Sequence, residues 1–201
     1  MQIIKVKPYG FGSNSYILTE DGKNAVVIDC AEPALFDVCA EKNLTVAAVL
    51  STHGHFDHVG GCGRFYAAGV PIYCGEFEKA LIHSPENRNI FGGVFIPEFE
   101  IEKTLKDGEE ITLAGIIIKA LHTPGHTAGG ITYVAGGNLF TGDTLFRLSI
   151  GRCDLPTGDG KKLIESVNKL FALDGDYKVY CGHEEDTSLA YERKFNPYAK
   201  H

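Results

Sequence analysis

The stretch STHGHFDHVGG, residues 51–61, follows directly on the apolar run TVAAVL, residues 45–50, and places His53, His55, Asp57 and His58 within six residues. A short apolar run that ends in turn residues predicts a buried strand. Functional side chains often gather where a strand of a rigid sheet gives way to a loop. The stretch therefore predicts either a hydrated polar turn or one half of a metal site at a sheet edge.

Further candidate ligands recur where later predicted strands run into glycine-rich turns. They are His122, His126, Asp143 and His183. Zinc and iron favour imidazole nitrogen with carboxylate oxygen, and their catalytic sites keep one position open for water. In extended backbone, His53 and His55 point to the same side, so together with His126 they predict a first metal ion.

The other half of the stretch predicts a second metal ion. Asp57 and His58 are adjacent and, where the chain turns into a helix, can face away from the first pair, with His183 as their partner. Asp143 carries two carboxylate oxygens and is suited to bridge both ions, which lie about 3.5 to 4 Å apart in two-metal hydrolytic sites. We expect two divalent cofactor ions, with zinc as the first choice and iron or manganese as alternatives.

Other histidines and the cysteines carry no such pattern. A lone histidine near a strand end is usually hydrogen-bonded or solvated, which we expect for His83, His122 and His201. The six cysteines contain no CxxC pair, and no signal segment precedes the first predicted strand. We expect reduced thiols in a cytoplasmic protein.

Charge and hydropathy restrict the partners. The formal net charge of −7 disfavours a nucleic-acid partner, because gripping a phosphate backbone requires a basic face. No apolar run approaches the roughly 20 residues of a membrane-spanning helix. We therefore expect a small-molecule substrate, no nucleic acid and no membrane, and the oligomeric state stays open.

Periodicity predicts one α/β domain over residues 1–201, a layered sandwich with two sheets. The expected strands are QIIKVKP, SYILTE, NAVVIDC, TVAAVL, EEITLAG, IIIKALH, GITYVAG, NLFTGD and YKVYCG. The expected helices are EPALFDVCAEKN, a segment beginning near His58, GDGKKLIESVNKLFAL and TSLAYERKF. The first three strands are expected to be antiparallel neighbours, and Ile82 to Glu109 to form a long surface loop.

The motifs THGHFDH, TPGHTAGG, GDTLF, GRCDLPTGD, CGHEEDT and ERKFNP together resemble the metallo-β-lactamase fold superfamily over nearly the whole chain. The similarity is to its hydrolase branch near hydroxyacylglutathione hydrolase (glyoxalase II). This resemblance implies a four-layer αββα sandwich with the metals at one edge of the two sheets. Arg152 and Asp154 stand where that branch has a lysine and a tyrosine that contact glutathione.

The expected reaction is hydrolysis of a small thioester or ester, with a hydroxyacyl-glutathione as one candidate, by a metal-bridging hydroxide. Asp57 is the expected catalytic residue, because it can orient the hydroxide and relay its proton. Arg152 is expected either to bind a substrate carboxylate or to pair with Asp154 or Asp159. The segment from Ile82 to Pro97, with Asn87, Asn89 and Phe91, is expected to wall the pocket.

Three alternatives stay open. A mononuclear iron persulfide dioxygenase of the same fold would use His53, His126 and Asp143 alone. A lactone or other ester hydrolase would use the whole ligand set. A metal-binding scaffold without catalysis is the third.

Overall fold

A computed structural model of the chain describes residues 1–8, 12–89 and 98–199. Its strands are β1 (Gln2–Val6), β2 (Ser15–Thr19), β3 (Asn24–Ile28), β4 (Thr45–Leu50), β5 (Ile72–Gly75), β6 (Ile101–Leu105), β7 (Glu110–Leu113), β8 (Ile116–His122), β9 (Ile131–Ala135), β10 (Asn138–Gly142), β11 (Leu145–Phe146), β12 (Ser149–Ile150), β13 (Lys178–Cys181) and β14 (Thr187–Ser188). Its helices are α1 (Ala34–Glu41), α2 (Phe56–Val59), α3 (Cys62–Ala67), α4 (Lys79–Ile82), α5 (Pro85–Asn89), α6 (Gly160–Phe171) and α7 (Leu189–Phe195).

Two mixed sheets contain most of the described strands. The first has the order β1-β2-β3-β4-β5-β6, and the second has the order β14-β13-β10-β9-β8-β7. The strands β1, β2 and β3 pair antiparallel, which confirms the sequence prediction. From β3 to β6 the first sheet is parallel, and β10 pairs parallel with β13 in the second. The carboxyl ends of β4, β10 and β13 therefore lie at the same edge of the molecule.

Alternating side chains on the strands build three apolar layers. In β3, Val27 faces an outer core and Val26 faces the core between the sheets, because successive side chains point to opposite faces. The first outer core contains Leu35 of α1 and Phe65 of α3. A second outer core contains residues of α6 and α7, among them Leu170. The resulting order of layers, helices, sheet, sheet, helices, confirms the four-layer αββα sandwich.

Two local predictions are wrong. The helix expected from near His58 is split into α2 and α3 by Gly60 and Gly61, both weak helix formers. The long loop expected from Ile82 to Glu109 contains α5 and the edge strand β6. In β6 only the two ends, Ile101 and Leu105, are buried, and the residues between them are exposed or partly so, which hides the strand period in the sequence.

The expected pocket wall falls only partly on described residues. Asn87 is buried, whereas Phe91 and Pro97 lie outside the residues that the structure describes. All six cysteines are free, as expected. Within the described ranges, the helices are too short and too polar to cross a bilayer.

Candidate metal centre

Carboxyl ends of strands from both sheets bring the predicted ligands together. The loop after β4 carries the HxHxDH stretch, the loop after β8 carries His126, and β10 and β13 are followed directly by Asp143 and the turn to His183. Three groups of possible ligands result, and within each the ligand atoms lie within 4.8 Å of one another. They are His53, His55 and His126; His53, His58 and Asp143; and Asp57, His58 and His183.

The first group consists of three buried imidazoles. Nε2 of His126 lies 2.9 Å from Nδ1 of His55 and 3.2 Å from Nε2 of His53. On its other side, Nδ1 of His126 lies 2.7 Å from the backbone oxygen of Arg152, which can only accept a hydrogen bond. Nδ1 of His126 therefore carries a proton, and Nε2 is the ring nitrogen that faces the other two imidazoles.

The last of the three sets, Asp57, His58 and His183, is called the second group from here on. Oδ2 of Asp57 lies 3.2 Å from Nε2 of His183 and 3.9 Å from Nε2 of His58. The His58 side chain is fully buried, whereas that of His183 is 30% exposed and reaches solvent. The open side of this group is therefore at His183.

Asp143 lies between the two groups. Its Oδ2 is 3.6 Å from Nε2 of His126 and 3.4 Å from Nε2 of His183, and its Oδ1 is 3.3 Å from Nε2 of His58. One carboxylate thus contacts the first group and both histidines of the second. This is the placement that a bridging ligand requires.

The donor set fits divalent cations. Nε2 of His58, Nε2 of His55 and Oδ1 of Asp143 are buried and have no hydrogen-bond partner within the described ranges. Burial and the neighbouring imidazoles hold the pKa of His53 well below its ordinary value and lower the pKa of His55 to about 3. These rings stay neutral, so their converging lone pairs are available to a metal ion.

The carboxylates of the cluster are held ionised. Burial alone would raise the pKa of Asp143, but the charge of His58 and the contact with His183 outweigh burial and hold it well below the usual range. The pKa of Asp57 is lowered in the same way, against its burial, by His58 and His183. The pKa of His183, which burial would lower, is raised to about 9 by Asp143 and Asp57. Two anionic carboxylates therefore face the cluster.

Asp29, which the sequence reasoning missed, supports the second group from behind. Its buried carboxylate accepts hydrogen bonds from the backbone N–H of Thr52 at 2.7 Å and from the Thr52 hydroxyl at 2.8 Å. Nδ1 of His58 lies 2.8 Å from Oδ2 of the same carboxylate. Nδ1 of His58 therefore keeps a proton, and Nε2, on the side of Asp143, is the ring nitrogen that would give up its proton to a metal ion. The position of Asp29 directly after β3 was the available signal in the sequence.

Arg152 contributes its backbone to the site. Its guanidinium forms a bidentate ion pair with Asp154, with both N···O distances at 2.7 Å. Its backbone oxygen accepts the hydrogen bond that orients His126. Of the two expected uses of this side chain, the ion pair is the one that the geometry contains. A substrate contact through Arg152 stays a prediction.

The remaining histidines differ from one another. Nε2 of His122 donates to the backbone oxygen of Ala128 at 3.0 Å, which confirms the expected hydrogen-bonded role. Nε2 of His83 is buried without a hydrogen-bond partner in the described part of the chain, but the residue is partly exposed, so its expected role stays a prediction. His201 lies outside the described residues.

A cleft of 1410 Å³ opens over the cluster. Its walls include the apolar side chains of Phe56, Phe146 and Leu155, and its floor reaches His55, Asp57, His126, Asp143 and His183. The cleft is large enough for a drug-sized ligand, since such pockets span about 300 to 1,000 Å³.

A family model and a curated relative both match most of this chain. The family model described as the metallo-β-lactamase superfamily matches residues 8–183. The chain is 36% identical over 207 residues to hydroxyacylglutathione hydrolase GloC of Haemophilus influenzae, with 98% of each protein covered.

Two solved structures have the same fold as this chain. The structure titled BLEG-1 B3 metallo-β-lactamase is 30% identical and superimposes with a TM-score of 0.92 over 100% of both chains. TTHA1623, crystallised in a di-iron-bound form, is 31% identical, with a TM-score of 0.85 over 97% of this chain and 99% of that one.

Proposed function

The chain belongs to the metallo-β-lactamase superfamily and is a metal-dependent hydrolase of that fold, and on this premise we propose that it uses two divalent ions to cleave a small thioester or ester. We propose zinc as the metal, because imidazole and carboxylate ligands suit it. Iron is the first alternative, since the similar TTHA1623 was crystallised with two iron ions.

The position of Asp143 is the observation that supports this proposal most. A single-ion site needs only one of the two groups, whereas this carboxylate contacts His126 of the first group and His58 and His183 of the second. When bound, two divalent ions would supply a hydroxide nucleophile at neutral pH and polarise the carbonyl group of the substrate.

Asp57 is the proposed catalytic residue. Its carboxylate lines the cleft and is ionised at neutral pH, because His58 and His183 keep its pKa below the usual range. It can therefore accept a hydrogen bond from the attacking water and hold one lone pair of that oxygen toward the substrate. Asp57 thus orients the nucleophile and relays its proton.

The walls of the cleft suit a substrate with an apolar or thioether segment beside the scissile carbonyl, because Phe56, Phe146 and Leu155 line it. At the rim, the guanidinium of Arg152 is already satisfied by Asp154. A substrate carboxylate would have to displace Asp154, so we propose only a small contribution from Arg152. A hydroxyacyl-glutathione is one candidate substrate, given the similarity to the Haemophilus influenzae hydrolase.

A second candidate is hydrolysis of a β-lactam ring. The observation that favours it is the full-length similarity to the structure titled a B3 metallo-β-lactamase. Opening a lactam uses the same attack on a carbonyl carbon, and the cleft is large enough for a bicyclic substrate.

A substrate panel on metal-loaded protein tests the proposal. Acyl thioesters of glutathione and of other thiol carriers, a lactone, a simple ester and a chromogenic cephalosporin should be compared by kcat/KM. We expect thioesters to be the best substrates, with Asp143→Ala as the inactive control. Metal analysis completes the test, because one iron per chain with oxygen consumption would favour the dioxygenase over the hydrolase.

A further inference from the structure

Glu78 is a buried acidic residue that belongs to neither ligand group. It lies between β5 and α4, and its side chain is fully buried. Burying a carboxylate is costly unless donors satisfy it. The donors that contact Glu78 all come from the two loops that carry the first ligand group.

One oxygen of Glu78 holds the loop that carries His53 and His55. Oε1 accepts a hydrogen bond of 2.7 Å from the backbone N–H of Gly54, the residue between these two histidines. On the other side of Gly54, its backbone oxygen accepts a 2.7 Å hydrogen bond from Nδ2 of Asn87, which is also buried. Gly54 is therefore hydrogen-bonded at both its N–H, by Glu78, and its C=O, by Asn87.

Glycine at position 54 permits this close hydrogen bonding. A Cβ at this position would lie 2.6 Å from Cγ1 of Ile82, which is too close, and 3.2 Å from Oε1 of Glu78, which is tighter than usual. The glycine of the HGH motif therefore has a structural reason. It allows the Glu78 carboxylate to approach the backbone between two ligands.

The other oxygen of Glu78 holds the loop that carries His126. Oε2 accepts a 3.0 Å hydrogen bond from the hydroxyl of Thr127, the residue next to His126. The backbone N–H of Gly129 donates to the same carboxylate, and a Cβ on Gly129 would lie only 2.5 Å from Oε2. One side chain thus ties together two loops separated by about 70 residues of sequence.

The side-chain hydrogen bonds of Glu78 do not extend to the second group. Within the described part of the chain, they go to Gly54, Thr127 and Gly129, and none goes to the segments that carry Asp143 or His183, although the charge of Glu78 is felt at His58. His58 is held separately, through Asp29.

We propose that Glu78 is a positioning residue that sets the spacing of His53, His55 and His126 and thereby the affinity of the first ligand group for its metal ion. The proposal rests on the metal centre proposed above. Partners of this kind typically change metal affinity by about 10- to 100-fold when they are removed.

The test isolates each group and measures Co²⁺ binding by visible absorption. His183→Ala leaves the first group complete, and His126→Ala leaves the second group complete. Glu78→Gln is then introduced into both backgrounds. The matched control is Glu76→Gln, two residues away on the exposed surface. Far-UV circular dichroism of the metal-free proteins checks that each variant is folded.

We expect Glu78→Gln to weaken Co²⁺ binding by about tenfold or more in the His183→Ala background. In the His126→Ala background we expect a change below about threefold, as for a site that shares no partner with Glu78. If Glu78→Gln does not fold, Thr127→Val removes only the hydroxyl donor to Oε2 and should weaken the first group alone.

Other outcomes overturn the proposal in distinguishable ways. Equal loss in both backgrounds would assign Glu78 to general stability, and no loss in either would remove its role. If the unsubstituted protein binds no Co²⁺ at all, the proposed metal centre fails and this inference fails with it.

Discussion

Replacing Asp29 by asparagine removes one charge behind His58 and little else. Asp29 has a φ of 55°, in the left-handed region that asparagine also tolerates, so the backbone should not be strained. The carboxylate accepts from the Thr52 N–H, the Thr52 hydroxyl and His58 Nδ1, at 2.7 to 2.8 Å. An amide offers only one acceptor oxygen and turns an NH₂ group toward the remaining partners.

The tautomer of His58 determines the size of the effect. If the amide oxygen keeps the bond from the Thr52 N–H, the NH₂ group faces Nδ1 of His58 and favours the ring with its proton on Nε2. That atom lies 3.3 Å from Asp143 and is the proposed ligand atom. A hydrogen bond to a charged group contributes about 1.5 to 3 kcal/mol, which corresponds to about 10- to 100-fold in metal affinity.

The assay is a zinc titration against a chromophoric chelator, with every variant measured at the same mildly alkaline pH. We expect Asp29→Asn to weaken binding by about 10- to 100-fold. Asp37→Asn is the matched control, because it makes the same substitution at an exposed carboxylate that pairs with Arg64, outside the metal centre. We expect the control to bind zinc within about threefold of wild type. Affinity of a folded Asp29→Asn protein within threefold of wild type would refute the reasoning.

Four further predictions follow from the site and the fold. Asp143→Ala should abolish hydrolysis and lower the metal content of both groups, as measured by elemental analysis. Arg152→Ala should change KM by less than about threefold, because exposed ion pairs such as the one with Asp154 contribute little. In metal-free protein, burial raises the pKa of Glu78 from 4.5 to about 7. Between pH 4.5 and about 7 its carboxyl is therefore protonated in the folded state and ionised in the unfolded state, so the folded state binds one proton more. The free energy of unfolding of wild type should therefore fall by about 3 kcal/mol relative to Glu78→Gln as pH rises from about 4.5 to 7, in chemical denaturation. Asp159→Ala should lower the free energy of unfolding by about 1 kcal/mol with metal content unchanged, because Asp159 caps α6 through the N–H groups of Lys161 and Lys162.

Each of these predictions has a contradicting result. Two bound ions and full turnover in Asp143→Ala would remove its bridging role. A tenfold rise in KM for acidic substrates in Arg152→Ala would restore the guanidinium as a substrate contact. Parallel pH profiles for wild type and Glu78→Gln would mean that the buried carboxyl keeps an ordinary pKa. Loss of metal in Asp159→Ala would link the α6 cap to the centre.

The cluster of candidate ligands could be predicted because each residue combines a side chain able to bind metal with a strand end, both visible in the sequence. His126 and Asp143 follow recognisable strands, and the spacing of His53 and His55 indicates one shared side. The layered fold was predictable for a similar reason. β4 is a short apolar run that ends in turn residues, as expected of a strand, and the apolar stripe of α6 repeats at the period of a helix.

The supporting residues could not be predicted, because their roles depend on contacts that leave no local pattern. Glu78 reaches Gly54 across 24 positions and Thr127 across 49, and acidic residues near turns are common. Arg152 illustrates a residue that the sequence left open. Its charge allowed a substrate contact or an ion pair with Asp154 or Asp159, and the structure contains the pair with Asp154 and a contact from its backbone oxygen to His126.

Anomalous diffraction from crystals of metal-loaded protein tests the two-metal centre most directly. We predict two peaks, one among His53, His55 and His126 and the other among Asp57, His58 and His183, with the Asp143 carboxylate in contact with both. A single peak at full metal loading, or a second peak that does not contact Asp143, would contradict the proposed centre.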